Sequence, residues 1–519
     1  MTLSPEGRGD DGDRMLTIDG NSLSWRDVLR VAREDASVRL SARARKKMLA
    51  SRKVVEDHVA AGDIVYGVTT GFGKFAQIAI DPDHRVELQK NLIRSHAAGV
   101  GDFFERDVVR AMLLLRANAL AKGYSGIRPV VVERLLDLLN KKVHPRIPKM
   151  GSLGASGDLA PLAHLTLVLM GEGQAEYRGR VVSGAKALEL ARIKPLELLA
   201  KEGLALLNGT QAMGAVASLL CADAWDVAKL ADIAGALSID ATLSSRIPCD
   251  PAIHRLRPYA GAIAAAANVT KLLRGSEILK SHAHCARVQD PYSLRCLPQV
   301  HGAARDAVIH LEEMLAIELN AATDNPLVLD DGRVVSGGNF HGQPIAIRLD
   351  YLALALHELG SISERRIDWV MNPNLTDLPA FLSPQEGLHS GYMIAQYTAA
   401  ALVSENKTLC GPASADSIPV SGNQEDHVSM GLHAGLNARK ILENVRTILA
   451  IEILCAAQAI HLRGKKTGRG LEPVLKRLRS KVPPLDHDRE VAVDIEEARR
   501  MVAERELLGA AEDACGPLQ

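Results

Sequence analysis

The stretch AARDAVIHLEEMLAIELNAATDNP, residues 303–326, places Val308, Leu311, Leu315 and Leu319 three or four residues apart, and Asn325-Pro326 supplies a stop. The same period returns in residues 349–370, through Leu349, Leu352, Leu356, Leu359 and Ile362, and in residues 437–462, through Ile441, Val445, Leu449 and Ile453. Long helices with apolar stripes bury them against one another, so these segments point to a helical bundle. Residue usage agrees. Aromatics make up 3% of the 519 residues and Ala is abundant, which suits close-packed helices better than sheets, whose strands favour aromatic and β-branched residues.

The helical pattern is weakest at 60–80 and 140–160, where Gly, Pro and β-branched residues cluster; these read as loops framed by short extended pieces. The turn-rich segments RIPKMGSLGASG and SRIPCDPAIHRLRP punctuate the chain, and a soft boundary is expected between 205 and 225. The expected organisation is a flexible leader over 1–16, an N-terminal domain over 17–215, and a central antiparallel helical bundle with a C-terminal helical region over 216–519. The fold class is all-α, mainly helical. Lys plus Arg and Asp plus Glu are 62 each, so charge gives no footprint for nucleic acid or anionic lipid. The polar N-terminus lacks the apolar stretch of a signal peptide, and no apolar run is expected to span a bilayer. Seven cysteines are scattered without a C-x-x-C pair, as in reduced cytoplasmic proteins.

The segment GSLGASGDLAPLAHL, residues 151–165, carries the chemistry. Asp158 reads as a helix N-cap and Pro161 as a first-turn residue, where a missing N–H costs nothing. That leaves Ala155-Ser156-Gly157. The amide nitrogen of one residue can attack the carbonyl carbon two residues back; Gly as donor has no Cβ to obstruct the approach, Ala before it is small, and the Ser between loses water to leave an exocyclic C=C. The product is a 4-methylideneimidazol-5-one, an electrophile made from the chain with no external cofactor. A plain serine nucleophile would want G-x-S-x-G, and G-A-S-G does not match.

GASGDLAPLAHL followed by GLALLNGTQ resembles the aromatic amino-acid ammonia-lyase family, whose members make this prosthetic group. The likeness continues in order through YGVTTGFGKFA, QDPYSLRCLPQVHG, SGGNFHGQP, ISERRID, ALVSENK and NQEDHVSMG, from about residue 64 to 431. Within the family it is closest to the members acting on L-histidine. Ser95-His96 stands where relatives acting on phenylalanine or tyrosine usually carry Phe-Leu or His-Leu, and Glu425 stands where they usually carry Gln. A carboxylate accepts an imidazole N–H, whereas beside a phenyl ring it would be buried without a partner. The alternative is a phenylalanine or tyrosine lyase, or an aminomutase with the same electrophile.

The resemblance also implies roles. Tyr66 is the base that removes the β-proton, Arg295 grips the substrate carboxylate, and Tyr292 and Asn208 line the electrophile and stabilise charge on its ring oxygen. Gln289, Phe340 and His96 complete the pocket with Glu425. It further implies a homotetramer in which three chains line each active site. Taken singly, Tyr66 reads as a turn aromatic and Asn208-Gly209 as a type I′ turn. His341 and His427 are given structural roles. His282–Cys285 (HAHC) packs three potential ligands into four residues, but no second pair follows at zinc spacing, so no metal is expected. YGVTTGFGKF lacks the G-K-[ST] of a phosphate loop. His389, Tyr392, Gly411 and Gly422 depart from the pattern of relatives, which commonly carry Asn, Phe, His and Ala there, and they are expected near the outer wall of the pocket.

Overall fold

The three periodic segments fall on three of the longest helices, Leu297–Glu318, Gln343–Met371 and Gly431–Arg463; a fourth, Gln211–Ala241, runs for 31 residues. The computed structural model describes residues 15–71, 80–283 and 287–519. The expected leader therefore lies almost wholly outside the described residues, as do most of GFGKFAQIA and His284-Cys285. The protein is mainly α-helical, with four small sheets of two or three short strands among the described residues.

One helix ends earlier than its sequence suggests. Leu297–Glu318 stops well before Pro326. Asn320 turns back to exchange hydrogen bonds with the backbone of Leu23, and Asp324 and Asn325 are drawn into buried polar contacts that a continuing helix could not make. The expectation of no span-like run also needs correction. Gly431–Arg463 is long and apolar enough to cross a bilayer, and 78% of its most apolar window is buried within the protein. A helix that is apolar nearly all round is the centre of a helical core as readily as a membrane span.

The chain divides into two compact units. The first takes the described residues of Met1–Leu219 with Glu312–Ile347 and Pro412–Gly435. Its core is the helix Arg106–Ala121, with 14 buried residues, packed on Pro129–Asn140. The extended pieces expected around 140–160 are the strands Val143–Pro145 and Pro148–Met150. The second strand pairs antiparallel with Val100–Phe103 and leads into the Ala-Ser-Gly segment.

The second unit is Leu220–Leu311, Arg348–Gly411 and Leu436–Gln519. Small residues let its helices approach closely: a Cβ on Gly302 would lie 2.3 Å from the backbone nitrogen of Ala262. Two polar knots sit among these apolar faces. The buried Glu452 carboxylate accepts from Ser238, Ser363 and the Nε and Nη2 of Arg366, and buried Asp232 accepts from Arg305 and Asn268 and meets His301 at 2.8 Å. Each charge is matched by several partners, which is what burial demands.

Candidate active site

Ala155-Ser156-Gly157 occupies the bend between the strand Pro148–Met150 and the helix Leu159–Leu169. Gly157 has φ +74° and pairs with Gly209; a Cβ there would fall 2.2 Å from the Gly209 carbonyl oxygen. Glycine is thus required twice, by conformation and by space. Pro161 is third in its helix, as expected. Asp158 differs from expectation: its side chain makes no capping bond to its own helix. The fully buried carboxylate instead accepts from Met213 N at 2.9 Å and from Ala212 N, at the start of Gln211–Ala241, and from Ser152 Oγ at 3.0 Å. Burial raises its pKa to about 7 against these bonds.

Asn208 ends the short helix Glu202–Leu207 with φ −86° and ψ 106°, so Asn208-Gly209 is not a type I′ turn, which needs positive φ at both residues. Its Nδ2 donates to Asn325 O at 3.2 Å and lies 3.4 Å from Asp324 Oδ1. Asp324 is held by the fully buried Lys201 at 2.6 Å. Arg116, also buried, bonds Gln211 Oε1 and Ala205 O. This network fixes the Asn208 amide and leaves its Oδ1 buried without a hydrogen-bond partner among the described residues.

These segments surround a cavity of about 900 Å³, lined by Tyr66, His96, Ala155, Ser156, Asn208, Phe340 and Glu425. Tyr66 does sit in a turn, pinned by Thr69 Oγ1 and Thr70 Oγ1, and from there it reaches the cavity. His96 ends the helix Arg85–His96, and Ser95 Oγ lies 3.1 Å from its Nδ1. Phe340 follows a loop held where Gly337 N donates to Asn325 Oδ1 at 2.8 Å. Burial lowers the pKa of His96 and raises that of Glu425. The pocket therefore favours the uncharged form of each.

Glu425 closes a tight hairpin with Val420, whose tip residues Ser421, Gly422 and Asn423 all have positive φ. Sequence reasoning missed Asn91, Gln424 and Asp426 as lining residues and gave His341 and His427 only structural roles; all five line the cavity. The motif blocks containing them were the available signal, but nothing in the letters separates a residue facing a cavity from its neighbour facing the core.

Three expected site residues are not among those lining the cavity, and all belong to the second unit. Tyr292 and Arg295 share the single-turn helix Tyr292–Arg295; Tyr292 is 71% exposed and the Arg295 guanidinium lies 4.8 Å from its ring. Gln289 lines a separate cavity with Arg287 and Asp290. His282 contacts the carbonyls of Ile278 and Ser244, and no group of three metal-ligating side chains occurs among the described residues. Gly422 lies at the hairpin tip, whereas His389, Tyr392 and Gly411 belong to the second unit and do not line the cavity.

The description "aromatic amino acid lyase" fits residues 23–480. Histidine ammonia-lyase of Gloeobacter violaceus is 53% identical over 506 residues, covering 97% of this chain and 98% of that one. Among solved structures, histidine ammonia-lyase of Trypanosoma cruzi superimposes with a TM-score of 0.89 at 42% identity, covering 96% of each chain. A tyrosine aminomutase of Streptomyces globisporus does so with 0.92 at 42% identity, covering 98% of this chain and 100% of that one.

Proposed function

The chain belongs to the aromatic amino acid lyase family, and on that premise we propose that it eliminates ammonia from L-histidine to give trans-urocanate, the opening step of histidine degradation. The observation that carries the reading is that Ser156, Tyr66 and Glu425, far apart in sequence, border one cavity. The prosthetic group is a 4-methylideneimidazol-5-one formed from Ala155-Ser156-Gly157: the Gly157 nitrogen bonds to the Ala155 carbonyl carbon, and two waters leave, one from that carbonyl and one from Ser156. The residues fit it. Gly157 carries no Cβ where none has room, and Asn208 presents an amide beside the tripeptide, fixed through its Nδ2 by Asn325.

The group supplies an electrophilic methylidene carbon that activates the substrate amine for departure. The remaining work falls to side chains. Tyr66 takes the β-proton, which requires its phenolate form and therefore hydrogen-bond support. Asn208 and Tyr292 would line the oxygen where negative charge develops; on Asn208 the hydrogen available to it is the Nδ2–H whose contact with Asp324 Oδ1, at 3.4 Å, is the longer of its two. Arg295 pairs with the substrate carboxylate, and Gln289 and Phe340 shape the pocket. Glu425 accepts the substrate ring N–H, and His96, kept neutral by burial, offers the ring a hydrogen-bonding neighbour without adding charge.

We assign Tyr292, Arg295 and Gln289 to the pocket of a neighbouring subunit in a homotetramer. Support comes from the apolar face Ile347, Tyr351 and Leu354, spaced for one side of the helix Gln343–Met371 and 43–50% exposed. The six described cysteines form no disulfide, in keeping with a cytoplasmic enzyme of reduced thiols.

The test is incubation of purified protein with L-histidine, L-tyrosine and L-phenylalanine separately, following product absorbance. Urocanate from histidine alone is expected. Cinnamate or coumarate instead would overturn the substrate assignment, and a β-amino acid would move the protein to the aminomutases. Ser156→Ala should abolish turnover together with the near-ultraviolet absorbance of the electrophile; activity surviving in that variant would sink the mechanism.

A further inference from the structure

We propose that His341 is a positioning residue for substrate recognition, acting by tying down the strap that carries Glu425. The proposal rests on the reading of Glu425 as the acceptor for the substrate ring.

His341 lies between Phe340, on the cavity, and the helix Gln343–Met371. Its Nδ1 accepts from Gln343 N at 3.3 Å, and its Nε2 lies 3.2 Å from the carbonyl oxygen of His427. A backbone N–H only donates and a carbonyl only accepts, so the two bonds together require the neutral ring with its proton on Nε2. The rings of His341 and His427 are parallel, 5° apart in plane with centroids separated by 5.7 Å. His427 is two residues beyond Glu425.

The rest of the strap explains why this tie matters. At its far end, Ser429 N and Oγ both donate to Gly154 O and Met430 N donates to Leu153 O, fixing the chain to the loop that precedes the tripeptide. Val428 N donates to Ser417 Oγ at 3.1 Å. From there the chain runs out to the hairpin of Val420 and Glu425, whose tip holds three successive residues at positive φ. Moving from the fixed end toward Glu425, the His341 bond comes after the Ser417 bond and before the hairpin. One imidazole thus links the segment of Phe340 and the start of the helix Gln343–Met371 to the base of the carboxylate hairpin, 86 residues further along the chain.

The experiment compares His341→Ala, His341→Gln and His341→Asn. Gln carries an amide N–H at the place of Nε2 and retains the donor to His427; Asn carries an oxygen at the place of Nδ1 and retains only the acceptor for Gln343. In His341→Ala, amide hydrogen exchange across 420–428 should accelerate about tenfold or more while the helix Leu159–Leu169 stays protected. KM for L-histidine should rise about tenfold with a much smaller change in kcat. Gln should restore both readouts to within about threefold, and Asn should not. In a Glu425→Gln background, His341→Ala should change KM by less than about twofold, because the carboxylate it positions is gone. Unchanged exchange over 420–428, or a KM effect of undiminished size in the Glu425→Gln background, overturns the proposal. Should the parent protein not act on L-histidine, the substrate reading fails on its own, and the exchange comparison still decides whether His341 holds the strap. If His341→Ala does not fold, the Gln and Asn variants carry the same comparison.

Discussion

Burial of the Glu425 carboxyl raises its pKa, and the sign of that shift sets opposite trends for stability and function. A carboxyl that binds its proton more tightly folded than unfolded stabilises the fold at low pH; that contribution declines as pH climbs from the ordinary carboxylate range through the raised value. Recognition of a ring N–H needs the ionised form, which appears over the same climb. The kcat/KM profile for L-histidine should therefore carry an acidic limb from Glu425 above the usual carboxylate range. Glu425→Gln should lower kcat/KM by about ten- to a hundredfold, the scale of one hydrogen bond to a charged group, and should remove that limb while thermal stability near pH 8 is unchanged or higher. A limb of the same midpoint in the variant would reassign it to another group, such as the substrate imidazole. At this scale the placing of Ser156 and Glu425 on one cavity was legible, because motif blocks fix their neighbours. The work of His341 was not, since it runs through the backbone of a residue 86 positions away.

Helices were legible where apolar residues recur at three or four positions, and their ends were not. The capping rule assigns Asp158 to the helix that follows it, but the carboxylate serves the helix Gln211–Ala241, whose first amides come 55 residues later. Local sequence cannot distinguish these, because both helices offer unpaired N–H groups and only tertiary placement chooses between them. Asp158→Ala should cost about 2–4 kcal/mol in denaturant unfolding, by stranding two buried amides and the Ser152 hydroxyl. Asp158→Asn keeps an acceptor for the helix and a donor for Ser152 Oγ, so its cost should stay near 1 kcal/mol or less at neutral pH. The pKa of about 7 gives the sign of the pH dependence: the wild type loses stability as pH rises from about 4 to 7, and Asp158→Asn should flatten that slope. A slope of equal steepness in the Asn variant would show that other carboxyls dominate, Asp240 being a candidate with a pKa raised to about 6 by burial.

At the scale of the whole molecule, equal numbers of acidic and basic residues exclude little beyond polyanion binding, and the informative feature is what one chain leaves unfinished. Its cavity gathers Ala155, Ser156, Tyr66, Asn208 and Glu425, and Arg295, proposed for the substrate carboxylate, is not among the described residues that line it. If a neighbouring subunit supplies Arg295, two dead variants should rescue each other. Ser156→Ala and Arg295→Ala proteins, each without turnover, are mixed in equal amounts, dissociated and reassembled. A pocket needs an intact Ser156 from one chain and an intact Arg295 from another, so random assembly should return about a quarter of wild-type activity. Were Ser156 and Arg295 of one chain to serve the same pocket, every pocket in the mixture would lack one of them, and no activity would return. Recovery that follows the appearance of mixed tetramers on native mass spectrometry would assign the pocket to more than one subunit. Mixed tetramers without recovery would return it to a single chain.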